Sequence, residues 1–183
     1  MEIISTLWNT GERDYRLVAI SALSALIRTM PDGVLGFASG VVCDIDSWEI
    51  CDQMALRVMG PLAARSREQI FGMMEEWLES ENRWLRRLAV ATIPPYIRRR
   101  KEDARFCLDF LRRAMDERDG EVIKAIGWAL REVSKKDFGA VFRFLLDFSS
   151  TIDRYRRRII REGMKKLPVE YQKRLVSILE KNG

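Results

Sequence analysis

Apolar residues recur at steps of three and four along most of this chain. The first run is Tyr15, Val18, Ala19, Ala22, Leu23, Ala25 and Leu26. Later runs are Phe106, Phe110, Leu111 and Ala114, then Val122, Ile123, Ile126, Ala129, Leu130 and Val133, and finally Ile159, Ile160, Met164 and Leu167. This spacing gathers apolar side chains on one face of an α-helix, whereas no segment shows the alternation of a half-buried strand. The pattern therefore predicts an all-α chain.

Short breaker sequences separate these runs. They include Met30-Pro31-Asp32-Gly33, Gly60-Pro61, Pro94-Pro95 and Leu167-Pro168. The predicted helices lie near 2–8, 12–29, 33–42, 47–59, 66–80, 82–97, 102–116, 119–134, 137–148, 152–167 and 169–181. Short links make neighbouring helices antiparallel, and pairs of roughly 40 residues have the period of HEAT-type solenoids. We therefore predict a HEAT-like α-α superhelix, a curved solenoid of antiparallel helix pairs, as a single domain over residues 1–183.

The composition excludes several kinds of chemistry. The chain contains no histidine, which removes Ser-His and Cys-His catalysis and the usual zinc and iron ligand sets. Any reaction must rest on carboxylates and cations, and we expect neither a metal nor a cofactor. No apolar stretch approaches the roughly 18 residues of a membrane span, so a cytoplasmic protein without a membrane partner is expected. The three cysteines, Cys43, Cys51 and Cys107, are expected to be reduced, partly buried thiols.

Charge is divided unevenly between the two halves of the sequence. Residues 1–82 contain 6 Lys and Arg against 13 Asp and Glu, a net charge of −7, whereas residues 83–183 contain 26 against 14, a net charge of +12. Basic runs carry much of the second value: Arg98-Arg99-Arg100-Lys101, Lys135-Lys136, and Arg154, Arg156, Arg157, Arg158, Arg161, Lys165 and Lys166. One basic run alone is more often a solvated helix face. Three runs together with the asymmetry favour a polyanionic partner.

A tryptophan and a carboxylate lie one helical turn apart near the start of the fourth predicted helix. Asp46 or Ser47 can cap this helix, and Trp48 and Asp52 then project from one face. Such a pair can form part of a site. The alternative is that Trp48 packs in the core with Asp52 at its margin.

Two further clusters combine tryptophan with arginine. In the first, Ser80 or Asn82 caps a helix whose packing face holds Trp84 and Leu88, so that Arg87 and its neighbouring arginines should project elsewhere and could clamp phosphate. The second cluster, Lys124-Ala125-Ile126-Gly127-Trp128-Ala129-Leu130-Arg131-Glu132, contains a mid-helix glycine that costs about 1 kcal/mol relative to alanine. Such a glycine indicates close packing or close approach of a ligand.

At these three clusters the sequence resembles the DNA alkylation repair glycosylases of the AlkD type, which are HEAT-like helical solenoids. The resemblance covers nearly the whole chain. Its motifs are Leu7-Trp8 with Glu12-Arg13-Asp14-Tyr15, Ser47-Trp48 with Asp52, Asn82 with Trp84-Leu85 and Arg87, Lys124-Ala125-Ile126-Gly127-Trp128 with Leu130-Arg131-Glu132, and Arg157-Arg158. The resemblance implies a DNA-binding concave surface.

The implied reaction is hydrolysis of the N-glycosidic bond of alkylated purines, such as 7-methylguanine and 3-methyladenine, in double-stranded DNA. Asp52 would be the catalytic carboxylate that stabilises the sugar cation. The implied DNA-binding residues are Trp48, Arg87, Lys124, Trp128, Arg131, Arg157 and Arg158. Typical members carry an additional N-terminal helical segment of several dozen residues, which this chain is expected to lack.

Two other functions remain open at the level of the sequence. A noncatalytic HEAT-like DNA-binding or scaffold module would keep the basic groove without turnover, and it would bind duplex DNA in a salt-dependent way without releasing bases. A solenoid that binds an acidic protein partner would show no DNA affinity. The combination of Trp48, Asp52, Arg87, Trp128 and Arg131 disfavours this last function, because a scaffold has no evident need for all five.

Overall fold

The computed structural model describes residues 1–181, and all regular structure within them is helical. The α-helices are α1 (Glu2–Asn9), α2 (Arg13–Leu26), α3 (Pro31–Val41), α4 (Trp48–Met54), α5 (Gly60–Arg65), α6 (Arg67–Leu78), α7 (Arg83–Ala91), α8 (Ile93–Arg99), α9 (Ala104–Arg112), α10 (Gly120–Ser134), α11 (Phe138–Asp147), α12 (Arg154–Gly163) and α13 (Val169–Lys181). The predicted fold class, all-α with HEAT-like helix pairs, is confirmed. No helix in this range is both long and apolar enough to cross a membrane.

Polar side chains at the N-termini fix where several of these helices begin. Ser47 accepts a hydrogen bond from the Ile50 amide at the start of α4, and Asn82 accepts one from the Trp84 amide at the start of α7. Aspartates cap α10, α11 and α12 in the same way. Each cap satisfies an amide that the helix itself cannot.

The helices form two compact units, divided after Tyr96 within α8. In the N-terminal unit, α1 packs on α2 and α6 on α7, while α4 packs against both α2 and α7. Its core contains large apolar residues such as Trp8, Ile20, Met54 and Leu88. The prediction of one domain over residues 1–183 stays a prediction.

One predicted helix end is wrong. The pair Gly60-Pro61 was expected to end the helix near residue 59, but α4 continues through a π-helical turn at Ala55–Met59 directly into α5. In a regular α-helix the Pro61 ring would press on the carbonyl of residue 57, and the wider turn accommodates it. A β-carbon on Gly60 would lie 2.3 Å from Pro95 Cγ, so glycine here permits the close approach of Pro95.

In the C-terminal unit, which begins at Ile97, the helices lie in two layers. One layer contains α10 packed on α12, and the other contains α9 packed on α11, which also contacts α13. The short links α9–α10 and α11–α12 join the layers as antiparallel pairs. The apolar run predicted from Val122 to Val133 is buried, as is the run from Ile159 to Leu167.

Not all of the predicted apolar faces are covered. On α2, Ala19 and Leu23 are buried, whereas Tyr15 and Val18 are exposed. The contacts of α2 with α1, α3 and α4 cover the side that holds Ala19 and Leu23. The segment predicted as one helix at 82–97 is instead divided into α7 and α8.

Candidate nucleic-acid interface

Asp52 and Arg87 form a bidentate pair between α4 and α7. Arg87 Nε donates to Asp52 Oδ1 at 2.9 Å, and Arg87 Nη2 donates to Asp52 Oδ2 at 2.8 Å. The Arg87 side chain is only 6% exposed and that of Asp52 is 17% exposed. Both carboxylate oxygens are therefore fixed in orientation by the planar guanidinium, while part of the carboxylate remains open to solvent.

Arg87 does not project away from the packing face as predicted. It is buried with Leu88, because α4 packs against α7 and supplies the Asp52 carboxylate that neutralises its charge. Cys51 is also buried here, and its thiol donates to the carbonyl of Trp84. Burial raises the pKa of the Cys51 thiol far above its usual range, so Cys51 is an unreactive packing residue.

Trp48 is 56% exposed, which overturns the alternative that it packs in the core. It lines a groove of about 360 Å³ together with Arg13, Arg16 and Glu49. Arg13 bridges α2 to α4 through two bonds of 2.6 Å to the Glu49 carboxylate. These hydrogen bonds hold the pKa of Glu49 below its ordinary value.

Arg131 is held by α12 in the C-terminal unit. Its Nη1 donates to the Glu162 carbonyl at 3.1 Å and to Glu162 Oε2 at 3.3 Å. A β-carbon on Gly127 would lie 2.5 Å from Glu162 Cβ, so the mid-helix glycine serves close helix packing, one of the two reasons predicted for it. Trp128, on the same helix, is half-buried.

The other predicted DNA-binding residues of this unit are more accessible. Lys124 is exposed and pairs with Glu121 on its own helix at 2.6 Å. Arg157 is half-buried and Arg158 is exposed, and no carboxylate within residues 1–181 pairs with either side chain. Both lie in the first two turns of α12.

The structure thus groups the predicted site residues in two sets. Trp48, Asp52 and Arg87 lie in the N-terminal unit. Lys124, Trp128, Arg131, Arg157 and Arg158 lie on α10 and α12, which pack together in the C-terminal unit. The individual roles given to all eight residues stay predictions.

Sequence reasoning missed two partnerships, Asp52 with Arg87 and Arg131 with Glu162. A signal for both was present, because each pair is separated by about the length of one helix pair, 35 and 31 residues respectively. Within the described part of the chain, no group of three or more Cys, Asp or Glu side chains could hold a metal ion. Of the three thiols, Cys51 and Cys107 are buried, and Cys43 is exposed rather than partly buried.

Comparisons with known proteins agree with this architecture. A structure described as "Predicted DNA alkylation repair enzyme from Enterococcus faecalis" matches with a TM-score of 0.72 at 22% identity, covering 92% of this chain and 75% of that one. The two proteins share a fold. A designed armadillo repeat protein in complex with a (KR)4 peptide has a TM-score of 0.44 at 15% identity, covering 97% of this chain and 86% of that one, which is too low to assign a fold.

No curated protein matches the sequence. The family described as DNA alkylation repair enzyme, however, matches residues 1–167, a range that includes α1 to α12 and every predicted site residue. The chain therefore belongs to the DNA alkylation repair enzyme family.

Proposed function

We propose that this chain is a monofunctional DNA glycosylase that hydrolyses the N-glycosidic bond of cationic alkylated purines, such as 7-methylguanine and 3-methyladenine, in duplex DNA. The observation that carries the proposal is the Asp52 carboxylate, fixed bidentately by buried Arg87 and located one turn from exposed Trp48. Family membership supports repair of alkylated DNA.

Asp52 stabilises the positive charge that develops on the sugar. The alkylated purine cation takes the electron pair of the glycosidic bond and leaves as a neutral base, so it needs no strong general acid and the sugar cation is the species to be stabilised. A water molecule then adds to the sugar carbon and loses a proton to solvent, which completes the hydrolysis. A carboxylate held in a fixed orientation does this without reorganising during the reaction. We assign Arg87 the role of orienting Asp52, in place of the predicted phosphate clamp, because its guanidinium donates to both carboxylate oxygens.

Two tryptophans supply aromatic faces in this mechanism. Exposed Trp48 offers its ring to the sugar and to the cationic nucleotide, because the negative face of an indole attracts a nearby cation. We assign Trp128, which is half-buried on α10, an aromatic contact with DNA on the C-terminal unit.

The C-terminal unit supplies most of the affinity for DNA. From residue 97 to the end, the sequence holds 23 Lys and Arg against 14 Asp and Glu, a net charge of +9. Lys124, Arg131, Arg157 and Arg158 contact backbone phosphates in this proposal. Affinity should therefore fall steeply with salt concentration, because each phosphate contact releases counterions.

The test is release of free base from a duplex methylated with an alkylating agent. The wild-type protein should release 7-methylguanine above the rate in a protein-free control. Asp52→Asn should lower release by about 100-fold or more, because it removes the stabilising charge, and should leave duplex binding nearly unchanged. Asp109→Asn, at an exposed carboxylate on α9, controls for loss of one negative charge. Circular dichroism at the assay temperature verifies that Asp52→Asn is folded, because this substitution leaves buried Arg87 without its charged partner. Absence of release by the wild-type protein would refute the proposal.

The second candidate is a noncatalytic DNA-binding module, and the closed Asp52–Arg87 pair favours it. Both oxygens of Asp52 accept hydrogen bonds from Arg87, as a purely structural ion pair would. This candidate predicts salt-dependent binding to duplex DNA and no release of any base. Asp52→Asn should then change only the stability of the fold.

A further inference from the structure

Glu162 is an acidic residue in the most basic helix of the chain. It lies in the last turn of α12, whose sequence is RYRRRIIREG, and Lys165 and Lys166 follow it. A carboxylate at this position lowers the attraction of the surface for a polyanion. Its presence therefore needs a structural reason.

The contact between α10 and α12 brings Glu162 to Arg131. Two glycines allow this approach: a β-carbon on Gly127 would lie 2.5 Å from Glu162 Cβ, and one on Gly163 would lie 2.6 Å from Leu130 Cδ1. Glu162 Cβ is bonded to its own backbone and cannot simply move aside, and Leu130 Cβ would also lie only 3.1 Å from a β-carbon on Gly163. The two backbones are therefore held at close range at this point.

Glu162 fixes only one end of the Arg131 guanidinium. Both the carbonyl and Oε2 of Glu162 accept from Arg131 Nη1, at 3.1 and 3.3 Å. Within residues 1–181, Arg131 Nε and Nη2 have no acceptor and are not buried. The guanidinium is therefore oriented, and its Nε–Nη2 edge remains open to a ligand.

Lys165 prevents Glu162 from neutralising this arginine completely. Its Nζ lies 2.7 Å from each carboxylate oxygen of Glu162, so the three side chains together carry a net charge of +1. The Arg131 side chain is 25% exposed, which leaves it accessible to an anion. An edge with two parallel N–H donors matches two oxygens of one phosphate.

We propose that Glu162 is a positioning residue, which orients Arg131 so that the Nε–Nη2 edge binds one phosphate of duplex DNA. This inference rests on the proposed function only for the claim that the surface around Arg131 binds DNA. It does not depend on base release.

The sign of one substitution separates this role from simple electrostatics. Glu162→Ala removes a negative charge and frees Lys165, so electrostatics alone would tighten binding to DNA. If Glu162 positions Arg131, the same substitution should instead weaken binding about three-fold, because the guanidinium then keeps only the backbone carbonyl of residue 162 as an acceptor and must be ordered further when DNA binds. Glu162→Gln keeps an acceptor oxygen and removes the charge, so it should bind at least as tightly as the wild-type protein.

The experiment measures the affinity of the full chain for an unmodified, fluorescein-labelled duplex of about 20 base pairs, about two turns of DNA, over a range of salt concentrations. Arg131→Ala should weaken binding about ten-fold and lower the salt slope by about 1, as loss of one phosphate contact does. Adding Glu162→Ala to Arg131→Ala should cause no further loss. Glu180→Ala, an exposed acidic residue on α13, is the matched control for charge removal and should bind slightly more tightly.

The inference would be overturned if Glu162→Ala bound the duplex more tightly than the wild-type protein. It would also be overturned if Glu162→Ala weakened binding equally in the wild-type and in the Arg131→Ala backgrounds. A wild-type protein that does not bind the duplex at all would overturn it as well. Binding results as expected, from a protein that releases no base from methylated DNA, would support the positioning role of Glu162 and refute the glycosylase proposal. Circular dichroism of each variant verifies that it is folded.

Discussion

Each unit of the molecule contains an arginine paired with a carboxylate from a helix packed against its own, but the two pairs differ in burial and geometry. In the N-terminal unit, Arg87 is 6% exposed and uses two nitrogens for the two oxygens of Asp52. In the C-terminal unit, Arg131 is 25% exposed and uses one nitrogen for Glu162. The two arginine–carboxylate pairs therefore differ both in burial and in the number of nitrogens that donate.

The difference lies in which member of each pair is left accessible. Asp52 is the more exposed member of its pair, and in the proposed function Arg87 orients this carboxylate toward a ligand. In the other pair the open edge belongs to Arg131, and the proposed role of Glu162 is to orient this cation. Removing one partner of a buried ion pair strongly destabilises a protein, whereas a solvent-exposed ion pair contributes little to stability.

The largest expected effect tests this contrast by removing each arginine. Arg87→Met leaves the Asp52 carboxylate without its partner in a mostly buried place, and we expect the free energy of unfolding to fall by about 3–5 kcal/mol. Arg131→Met removes a half-exposed pair, and the loss should be no more than about 1 kcal/mol. Urea denaturation followed by circular dichroism measures both values.

Arg87→Lys is the informative control for this experiment. Lysine keeps the charge but cannot donate two parallel hydrogen bonds, so it should recover only part of the stability lost in Arg87→Met. Equal losses for Arg87→Met and Arg131→Met would show that the two pairs do not differ in the way that their burial indicates.

A smaller effect is expected at the glycines that allow close packing in each unit. Gly60→Ala would bring a methyl group within 2.3 Å of the Pro95 ring, and Gly127→Ala within 2.5 Å of Glu162 Cβ. Each substitution should destabilise the protein by about 1–3 kcal/mol, because the neighbouring element must shift. Gly127→Ala should also weaken duplex binding, since it displaces Glu162 from Arg131, whereas Gly60→Ala should not.

Gly72→Ala provides the control within a helix that has free space. No atom lies within 4 Å of a β-carbon at this position in α6, so alanine should raise the free energy of unfolding by about 0.5–1 kcal/mol through its higher helix propensity. If Gly72→Ala destabilised the protein as much as Gly60→Ala does, close helix packing would not be the reason for glycine at position 60.

The fold could be predicted from the sequence because helix faces and helix ends depend on local patterns. The run Val122, Ile123, Ile126 was identified from spacing alone, and the structure confirms that it is buried. Residue type limited the two caps to Asp46 or Ser47 and to Ser80 or Asn82, and in the structure Ser47 and Asn82 form them. The continuation past Gly60-Pro61 was not predictable, because it depends on a π-helical turn.

The partnerships of the site could not be read in the same way, because they join residues that are distant in the sequence. The carboxylate of Asp52 and the guanidinium of Arg87 were assigned separate functions, although they contact each other. A repeat protein does provide a signal for such pairs. Ion pairs Arg13–Glu49, Asp52–Arg87, Arg98–Glu132, Arg112–Asp147 and Arg131–Glu162 are separated by 36, 35, 34, 35 and 31 residues. Opposite charges one repeat apart therefore predict contacts between successive repeats.

The smallest expected effect concerns two glutamates, one in each unit. Burial acts to raise the pKa of Glu132, but hydrogen bonds from Arg98 and Lys135 outweigh it, and the pKa lies below its ordinary value. A glutamate with a lowered pKa in the folded state stabilises the protein above the unfolded-state pKa, about 4.3. That contribution is lost as the pH falls through the folded-state pKa. Glu132→Gln should therefore lower stability at neutral pH by on the order of 1 kcal/mol and flatten its dependence on pH below about 4.3.

Glu49 provides the comparison from the N-terminal unit. A hydrogen bond from Arg13 is the main cause of the lowered pKa of Glu49, so its contribution to stability has the same sign of pH dependence as that of Glu132. The Glu49 side chain, however, is 30% exposed, whereas that of Glu132 is 8% exposed. Water screens the exposed pair, and Glu49→Gln should leave the midpoint of urea unfolding nearly unchanged at every pH. The midpoints of urea unfolding, measured between pH 3 and 7, about the range in which glutamate titrates, distinguish Glu49→Gln from Glu132→Gln. A larger change for Glu49→Gln than for Glu132→Gln would contradict the conclusion that burial, rather than pairing alone, decides which ion pairs stabilise this chain.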